Sequence, residues 1–179
     1  SNLSGVTHSI LNGFNYSPLE AEFPGWVSYG TYLSERNPWW PHVRKWTDYK
    51  ARVSAVLQHA EPQANIAILH PLADIWSRHG LQRDPFPVIE YPKYQFHLWE
   101  AIHQNGSNCD YISESIIQKA AFNNAFLEYK GRRYSTLIVM EADSIETETA
   151  DALLKFAQNG GKIIFIKQAP SRSPGWIDA

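Results

Sequence analysis

Glu141 and Asp143 stand two residues apart after the apolar run Thr136–Met140, a spacing at which paired carboxylates could divide acid and base roles. Asp143 is equally placed to cap a following helix, with Glu146 returning the contact three residues on, and that variant of the capping box accounts for it without catalysis. A cysteine nucleophile would need the sharp turn after a central strand, where the sequence has Met140-Glu141-Ala142. Cys109, the single cysteine, falls instead at the start of a candidate strand and suits a small buried apolar role. It also rules out an intrachain disulfide. No serine elbow is present. The seven histidines are scattered, with no His/Cys/Asp spacing that would hold zinc. The first strand candidate is followed by His70-Pro71-Leu72-Ala73-Asp74, not by a glycine-rich phosphate cradle, and Gly160-Gly161 precedes its strand. The expectation is therefore no catalytic residue, no metal ligand and no cofactor within these 179 residues.

The first third is chemically more suggestive. His8, Asn12, Asn15, Tyr16, Asn37, Trp39 and Trp40 combine polar groups with aromatic faces, the mixture that stacks on and hydrogen-bonds sugar rings. His8, Asn12, Tyr16, Asn37 and Trp39 are the candidate substrate-binding residues. Packing in a core or domain interface accounts for the same aromatics more simply, and a loop docked on the following domain would use the same residues.

These residues need elements to position them, and the chain divides near residue 60. In 1–60, Val6–Leu11 is a strand candidate closed by Asn12-Gly13, and 14–37 reads as a long loop. A helix from about Trp40 to His59 follows, with Pro41 in its first turn and an apolar stripe of Val43, Trp46, Tyr49 or Lys50, Val53, Val56 and Leu57. In 61–179 strands and helices alternate. Ile66–Leu69, Asp110–Ile112, Thr136–Met140 and Ile163–Ile166 are strand candidates. Helices are expected over 92–105, over 114–118 and from Asp143 to Asn159, with a hairpin over 126–134. Continuous apolar strands separated by helices predict right-handed crossovers and a parallel sheet. The fold class is α/β: a flavodoxin-like, class I glutamine amidotransferase-like doubly wound parallel sheet in the order 2-1-3-4, helices on both faces, preceded by an irregular segment and a long helix. Ligands of such sheets bind beyond the carboxyl ends of the strands, here His70-Pro71, Ser113-Glu114, Glu141-Ala142-Asp143 and Lys167-Gln168.

A formal net charge of −2 without a basic stripe argues against nucleic acid and anionic membrane as partners. No apolar run reaches the roughly 20 residues that span a bilayer, and no signal peptide is visible. Ser1-Asn2 has the look of a cloning remnant, and Pro174–Ala179 stops without an obvious domain terminus, so a piece of a longer chain is expected.

The blocks Asn12-Gly13-Phe14-Asn15-Tyr16-Ser17-Pro18, Phe23-Pro24-Gly25-Trp26, Asn37-Pro38-Trp39-Trp40-Pro41 and Trp46-Thr47-Asp48-Tyr49-Lys50-Ala51-Arg52 resemble the α-L-rhamnosidase-type glycoside hydrolases of family 106. The resemblance continues through Ala64–Leu69 and Leu98–Ile102 to Gly160-Gly161-Lys162-Ile163, nearly the whole chain. It departs at Asn12-Gly13, where the family carries His-Gly. The resemblance implies a multidomain bacterial enzyme, periplasmic or secreted, in which a (β/α)8 catalytic barrel precedes an amidotransferase-like domain that has lost its nucleophile. Residues 1–60 would then be the barrel's last strand, loop and helix, and 61–179 the accessory domain. Similar accessory domains in some β-galactosidases assist oligomer contacts. The implied partners are the remaining domains of the parent enzyme, a plant-type glycan met through that parent, and possibly a second copy in a homo-oligomer. The two catalytic carboxylates would lie upstream of Ser1. A different reading is a domain-docking or oligomerisation module without sugar binding, using the aromatic face near Trp46. An independent amidotransferase-like enzyme is a third, weakened by the missing nucleophile.

Overall fold

The computed structural model describes residues 6–11, 14–26, 32–79 and 93–175. The chain falls into two compact units, Ser1–Pro62 and Gln63–Ala179.

In the first unit the described loop is held by side chains that satisfy backbone groups. Asn15 exchanges backbone and side-chain hydrogen bonds with Leu33, its N–H donating to the Leu33 carbonyl at 3.0 Å. Ser17 Oγ accepts the Trp26 N–H at 2.8 Å, and the Arg36 guanidinium donates to the carbonyls of Pro18 and Ala21. Val6–Leu11, expected as a strand, is irregular and largely exposed. A strand needs a neighbour for its N–H and C=O groups, and none of the described residues of this unit forms one. The long helix is present: a 3-10 turn, Trp40–His42, runs into α1, Val43–Gln58. None of the residues of α1 is buried. Its amphipathic stripe is covered only in part: Val43, Val53 and Leu57 are half-buried, and Trp46 and Val56 are exposed.

The second unit is built on β1 (Ile66–Leu69), β2 (Cys109–Ile112), β6 (Thr136–Met140) and β7 (Lys162–Ile166). All neighbours pair in parallel in the order β2-β1-β6-β7, with Ile66 level with Cys109 and Thr136, and Thr136 level with Lys162. This is the doubly wound, flavodoxin-like sheet in the order that the alternation of strands and helices predicts. The crossovers carry α2 (Leu72–His79), α3 (Lys93–Gln104), α4 (Glu114–Lys119) and α5 (Thr147–Gln158). One sheet face packs Leu69, Leu137 and Val139 with Ile117 of α4 and Leu153 and Phe156 of α5. The other packs Ile68, Cys109 and Ile138 under Leu98, Trp99 and Ile102 of α3. Each fully buried side chain of this kind contributes roughly 1.5–3 kcal/mol. Gly161 follows α5 where a Cβ would meet the Phe156 ring at 2.1 Å, so glycine is what lets the ring seat.

Three details differ from the sequence expectations. Leu72–His79 is helical where a loop was expected. The hairpin has a further strand, so β3 (Ala121–Asn123), β4 (Phe126–Tyr129) and β5 (Arg132–Tyr134) form an antiparallel sheet. Asp143 does not cap α5: the cap position is Glu146, which makes no side-chain capping bond. The Asp143 carboxylate instead accepts the Gln168 amide, and its carbonyl accepts the N–H groups of Ser171 and Arg172, which ties the strand end to the chain after β7.

Candidate functional site

In the order β2-β1-β6-β7 the winding reverses between β1 and β6, and the crevice at that switch point is where open α/β sheets receive ligands. His70-Pro71 leaves β1 there and Glu141-Ala142-Asp143 leaves β6. The crevice is filled from within. Asp74 of α2, only 6% exposed, reaches across so that its Oδ2 accepts the N–H of Asp143 at 2.7 Å and of Ser144 at 3.1 Å. Two convergent backbone N–H groups are what an anionic ligand or a developing oxyanion would use, and here the chain's own carboxylate uses them.

Glu141 holds the sharp turn after β6 with φ +49°, the left-handed conformation of a strand-to-helix elbow. The position carries a carboxylate in place of a thiol or hydroxyl, and Lys167 Nζ pairs with it at 2.7 Å. Cys109 is buried at the opposite, amino end of its strand, and burial pushes its thiol up to about 11, with the Asp110 charge adding to the shift. Burial and the raised pKa both favour its protonated, less reactive form.

Beside the filled crevice, at the carboxyl ends of β1 and β2, a cleft of about 650 Å³ remains open. Leu72, Ala73 and Trp76 of α2 form one wall, and Tyr111 and Ile112 of β2 another. His70, Ser113, Glu114, Ser115, Glu146 and Pro174 also line it. His70 meets Tyr111 edge-on at 6.3 Å between ring centroids. Burial lowers the imidazole's pKa from its ordinary value, so the ring is neutral at pH 7. Burial, with the Cys109 thiol as a smaller cause, raises the Tyr111 phenol. Glu114 Oε2 accepts the Glu146 N–H at 2.7 Å, and Glu146 Oε2 accepts the Gln118 amide at 2.6 Å. No lysine or arginine is among the described residues around the cleft.

The substrate-binding candidates of the first unit are placed differently. Asn37 is buried and spends its amide on the backbone, donating from Nδ2 to the Tyr32 carbonyl at 3.0 Å and accepting the Trp39 N–H on Oδ1 at 3.1 Å. It therefore joins Trp39 in one turn, with the Trp39 ring partly exposed. His8 and Tyr16 are exposed, Tyr16 at 82%. Asn12 lies outside the described residues. Around Asn37, the residues Asn15, Phe23, Tyr32 and Ser34 close on a crevice with no room for a water molecule, and neither His8 nor Tyr16 borders it. No cluster of His, Cys, Asp and Glu able to hold a metal occurs among the described residues.

Trp76 and Tyr111, the aromatic members of the open cleft, did not stand out in the sequence. The rule that ligands lie beyond carboxyl strand ends points to Ser113 and His70 on either side of them. What hid Trp76 is that α2 itself was not recognised as a helix.

No protein-family model matches the chain, and no curated protein matches its sequence. Among solved structures it is similar to Gan42B, a GH42 beta-galactosidase, with 18% identity over 66% of this chain and a TM-score of 0.43. The chain spans 16% of the length of that enzyme.

Proposed function

We propose that this chain is a non-catalytic piece of a glycoside hydrolase. In this reading 61–179 is an accessory α/β domain and 1–60 the tail of a (β/α)8 catalytic barrel. The observation that carries the non-catalytic part is the Asp74 carboxylate seated on the Asp143 and Ser144 N–H groups, where a ligand of this fold would sit. Glu141 in the elbow and buried, protonated Cys109 support the same conclusion, since neither supplies an activated nucleophile. The glycosidase part rests on the aromatic blocks of the first unit and their resemblance to the rhamnosidase family.

The parent enzyme would cleave α-L-rhamnosides or related plant glycans with two carboxylates contributed by earlier barrel strands. His8, Asn12, Tyr16, Asn37 and Trp39 would border the sugar, with Asn37 shaping the turn that presents the Trp39 ring and His8 and Tyr16 offering exposed polar and aromatic groups. The test is hydrolysis of aryl α-L-rhamnoside and a panel of aryl glycosides by this chain and by the longer protein. Turnover by the longer protein alone is expected. Turnover by this chain would overturn the proposal, because an acid–base pair would then have to lie within it.

A second reading is favoured by one observation, the exposure of Trp46, Tyr49 and Val56 on α1, none of whose residues is fully buried. A docking or oligomerisation module would use that stripe to meet another domain or a second copy. Sedimentation across a hundredfold range of concentration distinguishes it: self-association removed by Trp46→Lys supports the module, and a monomer throughout argues against a homo-oligomer.

A further inference from the structure

The geometry points to the open cleft of the α/β unit as a binding site for a neutral hydroxylated aromatic ring, a ligand of the phenol class. This goes beyond the glycosidase reading and does not depend on it.

Size is the first argument. About 650 Å³ lies within the roughly 300–1,000 Å³ of small-molecule sites, and the cleft occupies the carboxyl edge of the sheet, where this architecture places ligands. The second is the wall. Leu72, Ala73, Ile112 and Pro174 make it largely apolar, and Trp76 and Tyr111 leave 68% and 42% of their surface exposed. Two large aromatic groups facing one concavity form a stacking surface whose exposure costs free energy until something covers it.

The third argument is the character of the polar groups. Glu114 and Glu146 offer carboxylate oxygens, neutral His70 one ring nitrogen, and Ser113 and Ser115 hydroxyls. Among the described residues around the cleft there is no lysine or arginine, and its two carboxylates disfavour a phosphate or carboxylate ligand. The rim mostly accepts hydrogen bonds, so the ligand should donate them. A sugar carries hydroxyls around its whole edge, and any set against Leu72, Ala73, Ile112 or Pro174 would lose hydration without gaining a partner. An ammonium group would lose its hydration in this largely apolar cleft, a cost that a neutral phenol does not meet. A ring with one or two hydroxyls satisfies every condition: its face on Trp76 and Tyr111, its O–H on the Glu114 or His70 side.

The test is a saturation-transfer NMR titration of the whole chain with 4-ethylphenol, 4-ethylanisole, tyramine, benzoate and methyl α-L-rhamnopyranoside, followed also at the Trp76 indole N–H. Binding of 4-ethylphenol is expected, with 4-ethylanisole at least about tenfold weaker because it lacks the donor, and benzoate absent. Trp76→Ala should weaken 4-ethylphenol at least about tenfold at an unchanged thermal midpoint, while Trp46→Ala in α1 leaves it unaltered. Tyr111→Leu serves as the second variant should Trp76→Ala fail to fold. No saturation transfer to 4-ethylphenol would overturn the proposal. So would equal binding of the anisole, tighter binding of tyramine or the rhamnoside, or affinity untouched in a folded Trp76→Ala protein.

Discussion

The carboxylate of Asp74 and the backbone N–H of Asp143 meet at 2.7 Å across the gap between the ends of β1 and β6. The Ser144 N–H joins the same oxygen at 3.1 Å. One buried side chain thus satisfies two backbone donors that the strand end would otherwise leave without partners. Charge-assisted hydrogen bonds contribute about 1.5–3 kcal/mol, and an orphaned buried donor costs about 1–3 kcal/mol. Asp74→Ala should therefore destabilise the unit by about 3 kcal/mol in urea unfolding, and Asp74→Asn, which keeps an acceptor oxygen, by about half as much.

Gly161 supplies a second quantitative test. An added Cβ would stand 2.1–2.4 Å from three carbons of the Phe156 ring, which is fully buried and cannot swing aside. Gly161→Ala should cost about 2–3 kcal/mol, as overpacking does. Gly131→Ala, at φ +82° with nothing within 4 Å, should cost only the left-handed backbone penalty of about 1–2 kcal/mol. Thermal midpoints of the two variants check the ranking.

The backbone of Glu141 predicts an inverted preference. At an ordinary position alanine is more stable than glycine by about 0.5–1 kcal/mol. At φ +49° the sign reverses. Glu141→Gly and Glu141→Ala both lose the Lys167 ion pair, so that term cancels between them. The glycine variant should be the more stable by about 1 kcal/mol in paired denaturant titrations.

Cys109 gives the pH dependence. Its folded pKa, about 11, lies above its ordinary value of 9.0, so the folded state favours the protonated thiol. Its contribution is complete below pH 9 and is lost as pH rises from 9 to about 11, with a slope of up to about 1.4 kcal/mol per pH unit. Stability should decline over that window, and Cys109→Ala should flatten the decline. A disulfide reagent at pH 8 should label the thiol only after unfolding.

The strands of the sheet were legible because Ile66–Leu69 and Leu137–Met140 are unbroken apolar runs, as strands covered on both faces require; Ile163–Ile166 is as apolar, although at the sheet edge it leaves Ile164 and Phe165 exposed. Their alternation with helices leaves few topologies. Helix α2 was hard to read because it is only eight residues long and runs toward a segment with Pro85, Pro87 and Pro92, although Pro71 suits a helix start. The cap assigned to Asp143 failed because tertiary partners, Gln168, Ser171 and Arg172, claim that residue over its local helix. The same long-range bonding hid the closure of the switch point, since no spacing rule links Asp74 to a backbone N–H 69 residues away. Tyr111 lies inside a strand, and only its register beside Ile68 and its contact with His70 bring it to the cleft.

That separation of 69 residues also orders events in time. The Asp74 contact cannot form until β1 and β6 lie side by side, and closing so long a loop costs entropy that only the sheet's own burial can offset. We expect the contact to form after the rate-limiting barrier, which the refolding kinetics of Asp74→Ala would test. Its removal should leave the refolding rate nearly unchanged and quicken unfolding, so that the carboxylate acts as a brake on opening and sets how long the native sheet survives once formed.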